Sequence, residues 1–444
     1  MFENVKNISI IGIARSGVSS AIFLKQKNFN VFISDYSFIS EDSEFIQLLK
    51  KNQIEYETGK HTLNKILNSD LIVLSPGVPL NSNIVIEIQK AKKKYIGEIE
   101  LAYQFCNKEA KIIAITGSNG KSTTTTLTGE IFKNAGFHTI VAGNIGFPFI
   151  NFVNEIKSNS IVVLELSSFQ IDTLFSFHPY ISIILNVYPN HLDRYSSFED
   201  YRNSKLGLIK NQSINDYLVI NSNLKNFIQK PINKIFINYS ENNFVNMNIK
   251  DYLEYSINQR TGKINFNNLN LLGKHNYENI CAAVAAALIF NINENVIKKT
   301  VENFKGLEHR LEFVRKIKNV SFYNDSKSTT PMATLTALNA FNNNIILILG
   351  GRNKGLDFSI LANIIKEKVK YVILFGEAKE IILKELNLKE NYFICDTLFE
   401  VVNKAYNLAK ENDIVLFSPA CASFDMFENF EDRGKKFKEL VIAL

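Results

Sequence analysis

Short apolar runs alternate with amphipathic stretches along the whole chain, and each run ends in a polar or glycine-containing turn. In the first 105 residues, Asn7 to Ile13 reads as a strand and Gly12 to Gly17 as a turn. Val18 to Lys27 carries apolar residues at helical spacing, and Val31 to Asp35 is the next strand. A further strand, Asp70 to Ser75, ends in Ser75-Pro76-Gly77. A second set of strands lies at Ile112–Ile115, Thr139–Val141, Ile161–Leu166 and Ile181–Asn186. A third lies at Val320–Tyr323, Ile345–Leu349, Tyr371–Phe375 and Ile414–Phe417. Strands that alternate with helical stretches predict parallel α/β sheets. The expected fold class is therefore α/β in three domains: 1–105, 106–305 and 306–444. The first and last read as Rossmann-like, and the middle one as a P-loop ATPase-like domain. Between 211 and 270 the chain is rich in asparagine, with short β-like pieces at Tyr217–Asn221 and Lys234–Asn238. That region is expected to be peripheral and without chemistry.

The segment Ile112 to Thr126 carries the strongest chemical signal. A buried strand runs into Thr116-Gly117-Ser118-Asn119-Gly120-Lys121-Ser122-Thr123 and then into a helical pattern. Glycines let backbone N–H groups face an anion, and the helix start adds partial positive charge. Lys121 can reach the β- and γ-phosphates, and the Ser122 hydroxyl can sit on Mg²⁺. The spacing departs from the usual phosphate-loop pattern, which would place glycine where Ile115 stands.

Two further strand ends are polar. Glu165 closes the apolar run Ile161–Leu164, and an isolated buried carboxylate must be paired or bind a cation. Mg²⁺ held by Glu165 and Ser122 is one reading, and a structural salt bridge is the other. His191, in the polar loop Asn186 to Tyr195, is a candidate metal ligand or a structural hydrogen-bonder. The N-terminal turn places Asp35 about twenty residues on, as in a dinucleotide fingerprint. It lacks the middle glycine that lets a pyrophosphate approach.

Composition narrows the field. The net charge is +6, from 50 basic and 44 acidic residues, but the lysines are scattered and only Lys92-Lys93-Lys94 is a tight run. That distribution argues against nucleic acid and suits a phosphate-rich substrate. The four cysteines, Cys106, Cys281, Cys395 and Cys421, form no CxxC pair, so zinc and redox motifs are not indicated. Reduced thiols and the lack of a long apolar run lead to the expectation of a cytoplasmic protein, with no membrane partner and a monomeric state.

The loop Thr116 to Ser122 resembles the nucleotide loop of the Mur ligases and folylpolyglutamate synthases, which use ATP to join an amino acid to a carboxylate. Glu165-Leu-Ser-Ser-Phe-Gln170 and Asn190-His-Leu-Asp-Arg-Tyr195 resemble the metal-binding strand ends of the Mur ligases. The resemblance implies ATP and two Mg²⁺ sites, held by Ser122, Glu165, His191 and a carbamylated Lys205. From the residues alone, Lys205 reads as a solvated helix lysine. ATP contacts are implied at Gly117 to Thr123, Asn276, Asn279, Arg310, Asp325 and Lys327. Arg310 also reads as an interdomain ion-pair residue, and both roles are compatible. Leu416 to Asp425, with Phe430, resembles the D-glutamate-adding branch of the family. Binding of D-glutamate is implied at Lys327, Thr329, Lys354, Ser423, Phe424 and Phe430. The other substrate implied is UDP-N-acetylmuramoyl-L-alanine, at Arg15, Ser16, Asp35, Tyr36, Ser75, Pro76, Gly77, Asn144 and His191. Catalysis would fall to Lys121, Glu165, His191, Lys205 and Arg310. Sister amide ligases, a nucleotide-switched binding module and an NAD-dependent oxidoreductase are the rival readings.

Overall fold

The computed structural model describes residues 2–189, 194–238, 243–248, 252–267, 269, 271, 274–353 and 355–444. The chain divides into two compact units, Met1–Asn268 with His275–Glu302, and Leu269–Lys274 with Asn303–Leu444.

The first unit holds two sheets. Strands β1 (Asn7–Ile11), β2 (Asn30–Asp35), β3 (Glu55–Thr58), β4 (Leu71–Leu74) and β5 (Tyr95–Gly97) form a five-stranded parallel sheet in the order β3-β2-β1-β4-β5. The strand order reverses between β1 and β4, and ligands of open α/β sheets bind at such a reversal. There the Ser75 hydroxyl donates to the Gly12 carbonyl at 3.0 Å. A Cβ on Gly12 would lie 2.8 Å from that of Ser75, so only glycine fits. The following helix starts at Arg15, earlier than the pattern predicts, and takes Gly17 into its first turn. A Cβ on Gly17 would lie 2.0 Å from the Gly12 carbonyl, which explains the glycine spacing as packing of helix on turn.

The second sheet has nine strands: β6 (Lys111–Thr116), β7 (Thr139–Gly143), β8 (Ile161–Glu165), β9 (Ile181–Ile184), β10 (Tyr217–Asn221), β11 (Asn233–Ile237), β12 (Phe244–Asn248), β13 (Tyr252–Ile257) and β14 (Arg260–Asn265). Their order is β14-β13-β12-β11-β10-β9-β6-β8-β7. Strands β6 to β9 are apolar on both faces, as parallel strands covered by helices must be. β6, which feeds the phosphate loop, lies between β8 and β9. The asparagine-rich region builds the β10–β14 flank, which ends in antiparallel pairs. One apolar core runs from the first sheet into the second and includes Ile10, Phe23, Phe149 and Leu164. All four cysteines are buried and unbridged.

The second unit has a six-stranded sheet of β15 (Glu312–Ile317), β16 (Val320–Asn324), β17 (Ile345–Gly350), β18 (Val369–Phe375), β19 (Tyr392–Ile394) and β20 (Ile414–Phe417), in the order β15-β16-β20-β17-β18-β19. All pairs are parallel except the β15–β16 hairpin. Its turn residues Lys318 and Asn319 both have positive φ, 45° and 63°. Such turns favour Asn-Gly, and the lack of glycine hid β15 from the sequence reading. Among the described residues no helix is long and apolar enough to cross a membrane.

Candidate active site

At the carboxyl end of β6 the chain turns through Gly117 and Gly120 into the helix Lys121–Asn134. Gly120 has φ +84°, and a Cβ there would lie 2.1 Å from Asn279 Oδ1. Asn279 is buried on the helix Lys274–Ile289, and its Nδ2 donates to Asn276 Oδ1 at 3.1 Å. Two loop amides are committed to the neighbouring strand end. Ser118 N donates to the Asn186 carbonyl (2.9 Å) and Asn119 N to Asn186 Oδ1 (2.9 Å). The amides of the first helical turn, Lys121 to Thr123, have no intrahelical acceptor by geometry and form the anion-facing set. The Lys121 ammonium bends back and donates to the carbonyls of Gly117 (2.8 Å) and Ser118 (3.1 Å).

Glu165 ends β8 beside this loop and is buried. Its Oε1 accepts from Asn144 Nδ2 at 2.8 Å, while Oε2 is buried without a partner. An orphaned carboxylate oxygen in a dry setting fits a cation. The local sequence holds it there. Ser167 and Gln170 form a reciprocal cap on the short helix that follows, and Asn144 N donates to the Glu165 carbonyl at 2.8 Å. Gly143, at φ +104°, admits that contact, because a Cβ would lie 2.4 Å from the same carbonyl. Ser122, at the helix start, is also buried.

Lys205 lies on the helix Phe198–Leu206 with only 2% of its surface exposed. Its Nζ donates to the Gly117 carbonyl at 3.1 Å, so the structure brings it onto the phosphate loop. Burial, reinforced by the nearby Lys121 charge, pulls the amine down to about 7. The neutral amine, which this lowering favours, is the form that can react with carbon dioxide.

A cavity of about 1180 Å³ opens between the first sheet and the 143–148 loop of the second. Arg15, Ser16, Asp35, Tyr36, Ser75, Pro76, Gly77 and Asn144, all expected for the UDP substrate, line it together. Asp35 accepts from Ile13 N (2.7 Å) and Ser37 N (2.8 Å), and Arg15 donates to the Gly146 carbonyl at 2.9 Å. Arg194 braces the Ser75–Gly77 wall: it donates to the Gly77 carbonyl at 2.8 Å and stacks on Phe169 at 4.4 Å.

In the second unit, adjacent strands β16 and β20 bring two loops side by side. Asp325 is buried, with Oδ1 accepting from Leu311 N (3.1 Å) and Oδ2 from the Ser418 hydroxyl (2.7 Å). Burial lifts its carboxyl to about 6, against the lowering effect of the Ser328 and Ser418 hydroxyls and the nearby Arg310. The Lys327 ammonium lies 5.7 Å from the Phe430 ring centroid. Thr329 precedes Thr330, which caps the helix Pro331–Leu338. Ser423 is buried, and Phe424 is 59% exposed. Ala420 holds a left-handed backbone (φ 60°) and donates its N–H to the Ser328 carbonyl at 2.9 Å, which ties the two loops together. Strained non-glycine backbone of this kind gathers at functional sites.

The matches to family models cover the chain in three blocks: a Mur ligase MurD-like N-terminal domain over 6–97, a Mur ligase middle domain over 115–287, and a Mur ligase glutamate ligase domain over 309–421. The chain belongs to the Mur ligase family. Relatives of this Mur ligase include proteins named UDP-N-acetylmuramoylalanine–D-glutamate ligase. The one from Thermoanaerobacter sp. is 42% identical, and the one from Geotalea uraniireducens 38%; each match spans 99% of this chain and 98% of the relative. Among solved structures, the UDP-N-acetylmuramate–alanine ligase of Thermotoga maritima matches with a TM-score of 0.60 at 18% identity, over 99% of this chain and 100% of that one. A MurF ligase of the same organism, solved with ADP, matches with a TM-score of 0.60 at 15% identity, over 94% of this chain and 96% of that one.

His191 and Lys354 lie outside the described residues. Among the described residues no cluster of three or more His, Cys, Asp or Glu side chains forms a metal site. Further residues stand at the candidate site of this Mur ligase without a motif to mark them. Asn186 clamps the phosphate loop, Tyr201 hydrogen-bonds Ser118 (3.1 Å), and His61 and Glu98 line the large cavity. Asn186 lies two residues beyond the end of β9, a legible position. Glu98 and Tyr201 sit in ordinary helical patterns that carry no such mark.

Proposed function

We propose that this Mur ligase joins D-glutamate to UDP-N-acetylmuramoyl-L-alanine and converts ATP to ADP and phosphate. The names of its full-length relatives support the substrates. The single structural observation that carries the chemistry is the meeting of Lys121, Lys205 and Glu165 at one edge of the second sheet, around a phosphate loop. ATP is bound by the Gly117–Thr123 loop, with Asn276 and Asn279 on its nucleoside side. The UDP substrate fills the large cavity, with its alanyl carboxylate near Asn144. That carboxylate attacks the γ-phosphate, ADP leaves, and an acyl phosphate forms. The amine of D-glutamate then attacks the acyl carbon, loses a proton, and phosphate departs.

Glu165, Ser122 and a carbamylated Lys205 are the described residues that would hold Mg²⁺, with His191 the further candidate. The ion would supply positive charge against the phosphate oxygens. Lys121 offsets the repulsion between carboxylate and γ-phosphate, and Arg310 and Lys327 are the further cations of this proposal. Lys354, Ser423, Thr329 and Phe430 hold the amino acid. The protein would act as a cytoplasmic monomer, with domain boundaries at 105 and 305. The test is phosphate release with UDP-N-acetylmuramoyl-L-alanine across a panel of D- and L-amino acids. D-glutamate should stand alone in stimulating release. Preference for L-alanine or L-glutamate, or amino-acid-independent release, would refute the reading.

A further inference from the structure

Behind the loops that carry Lys327 and Ser423 lies a guanidinium with no role so far. Arg433, on the helix Phe430–Ala443, has no solvent exposure. Its Nε donates to the Ser326 hydroxyl at 3.0 Å and its Nη2 to the Ser326 carbonyl at 2.8 Å. Its Nη1 donates to the carbonyls of Cys421 (3.0 Å) and Ala422 (3.3 Å). The Ser326 hydroxyl in turn donates to the Phe430 carbonyl at 2.8 Å. Gly351 leaves the room this needs, since a Cβ there would lie 3.1 Å from Nη1. One side chain thus fixes three segments at once: the residue before Lys327, the pair before Ser423, and the turn that carries Phe430.

Every acceptor in that set is neutral. Among the described residues no carboxylate comes within the 4.0 Å of an ion pair with Arg433. Asp425 and Asp325 act on it only from further away. A buried cation with no carboxylate in contact is costly to fold around, and arginine does not escape by losing its proton. Burial lowers the guanidinium only to about 10, so it stays charged near neutrality. An anion bound in front of the two loops would add to the partial counter-charge of Asp425 and Asp325.

We propose that Arg433 is a positioning residue for the amino-acid substrate: it clamps the Ser326–Lys327 and Cys421–Ser423 segments, and its buried positive charge, with no carboxylate in contact, biases the pocket they form toward an amino acid with two carboxylates. The proposal rests on the D-glutamate reading. A residue that only supported the fold would not change the choice between D-glutamate and its neutral isostere D-glutamine. A charge behind the pocket does.

The experiment compares Arg433→Met, Arg433→Lys and the milder Ser326→Ala in steady-state kinetics, with D-glutamate and D-glutamine as alternative substrates. In Arg433→Met the KM for D-glutamate should rise by about 30-fold or more, while the KM values for ATP and the UDP substrate stay within about twofold. The preference for D-glutamate over D-glutamine should fall about tenfold in Arg433→Met and persist in Arg433→Lys, which keeps the charge but not the fork. Ser326→Ala should raise the D-glutamate KM several-fold. An unchanged preference in Arg433→Met, or all three KM values rising together, overturns the role. If Arg433→Met does not fold, unchanged D-glutamate KM in both other variants overturns it. A wild type that prefers a neutral amino acid refutes the D-glutamate reading itself. Flat KM values in variants of a D-glutamate-using enzyme refute only the Arg433 role.

Discussion

Lys121 and Lys205 show how far a residue's environment outruns its sequence. Lys121 was legible, because Gly-Lys-Ser after a strand has a mechanical meaning. Lys205 was not: its neighbours Tyr201-Arg-Asn-Ser read as an exposed helix, and only the fold buries it against Gly117. Lys121→Ala should reduce turnover by roughly 10²-fold at saturating ATP, as loss of a preorganised charge does. Near-normal turnover would remove it from the mechanism. For Lys205 the sign of the pH effect follows from its lowered pKa. The folded state prefers the neutral amine, so its charge is a cost that is fully present below about pH 7 and is relieved as pH rises toward 10.5. Near neutral pH Lys205 is therefore neutral far more often than an ordinary lysine, of which roughly a thousandth is neutral. Carbamylation, read as a 44 Da (about) mass increase in intact protein under bicarbonate, should therefore persist near pH 7.5 and fall away below pH 6. Lys205→Ala should lose activity and regain part of it with short carboxylic acids. Full activity of the wild type in carbon-dioxide-depleted buffer would count against the modification.

At the scale of elements, strands were easier to read than the turns that hold them. The β6, β8 and β9 strands stood out as continuous apolar runs, whereas β15 depends on a hairpin turn without glycine. Helix starts were displaced for a physical reason: the Gly12–Gly17 packing lets the first helix begin three residues before its apolar pattern does. The phosphate loop is the element whose shape admits least change. Gly120→Ala meets both a left-handed backbone and Asn279 Oδ1, so it should cost about 1–3 kcal/mol of stability. It should also weaken ADP binding at least about tenfold, because the first-turn amides move with the loop. Isothermal titration with ADP and Mg²⁺ checks this, and an unchanged affinity would show that the loop relaxes without loss.

At the scale of the whole molecule, separate sheets are legible in the sequence but the joint between the first two is not. The segment Gly97-Glu98-Ile99-Glu100 gave no sign that both acids would be buried. Glu100 accepts from the amides of Phe175, Ser176 and Phe177, and Glu98 Oε1 accepts from Ile150 N at 2.8 Å while Oε2 is unpartnered. Burial lifts Glu98 to about 7 from an ordinary 4.5. Between those values the folded state holds a proton the unfolded chain has lost, so stability falls as pH rises and the cost is complete above about pH 7. Glu98→Gln carries no such charge. Its stability relative to wild type should improve by about 2.5 kcal/mol between pH 5 and pH 8, measured by urea unfolding. A constant difference would show that Glu98 never ionises in place. The same joint decides where the chain can be cut. Ile10, Phe23 and Phe149 belong to one core, so a fragment ending at residue 105 would leave apolar surface bare and would aggregate rather than fold. A protease acting on the native protein should spare the 98–110 stretch, and the shortest N-terminal piece able to stand alone should reach residue 302.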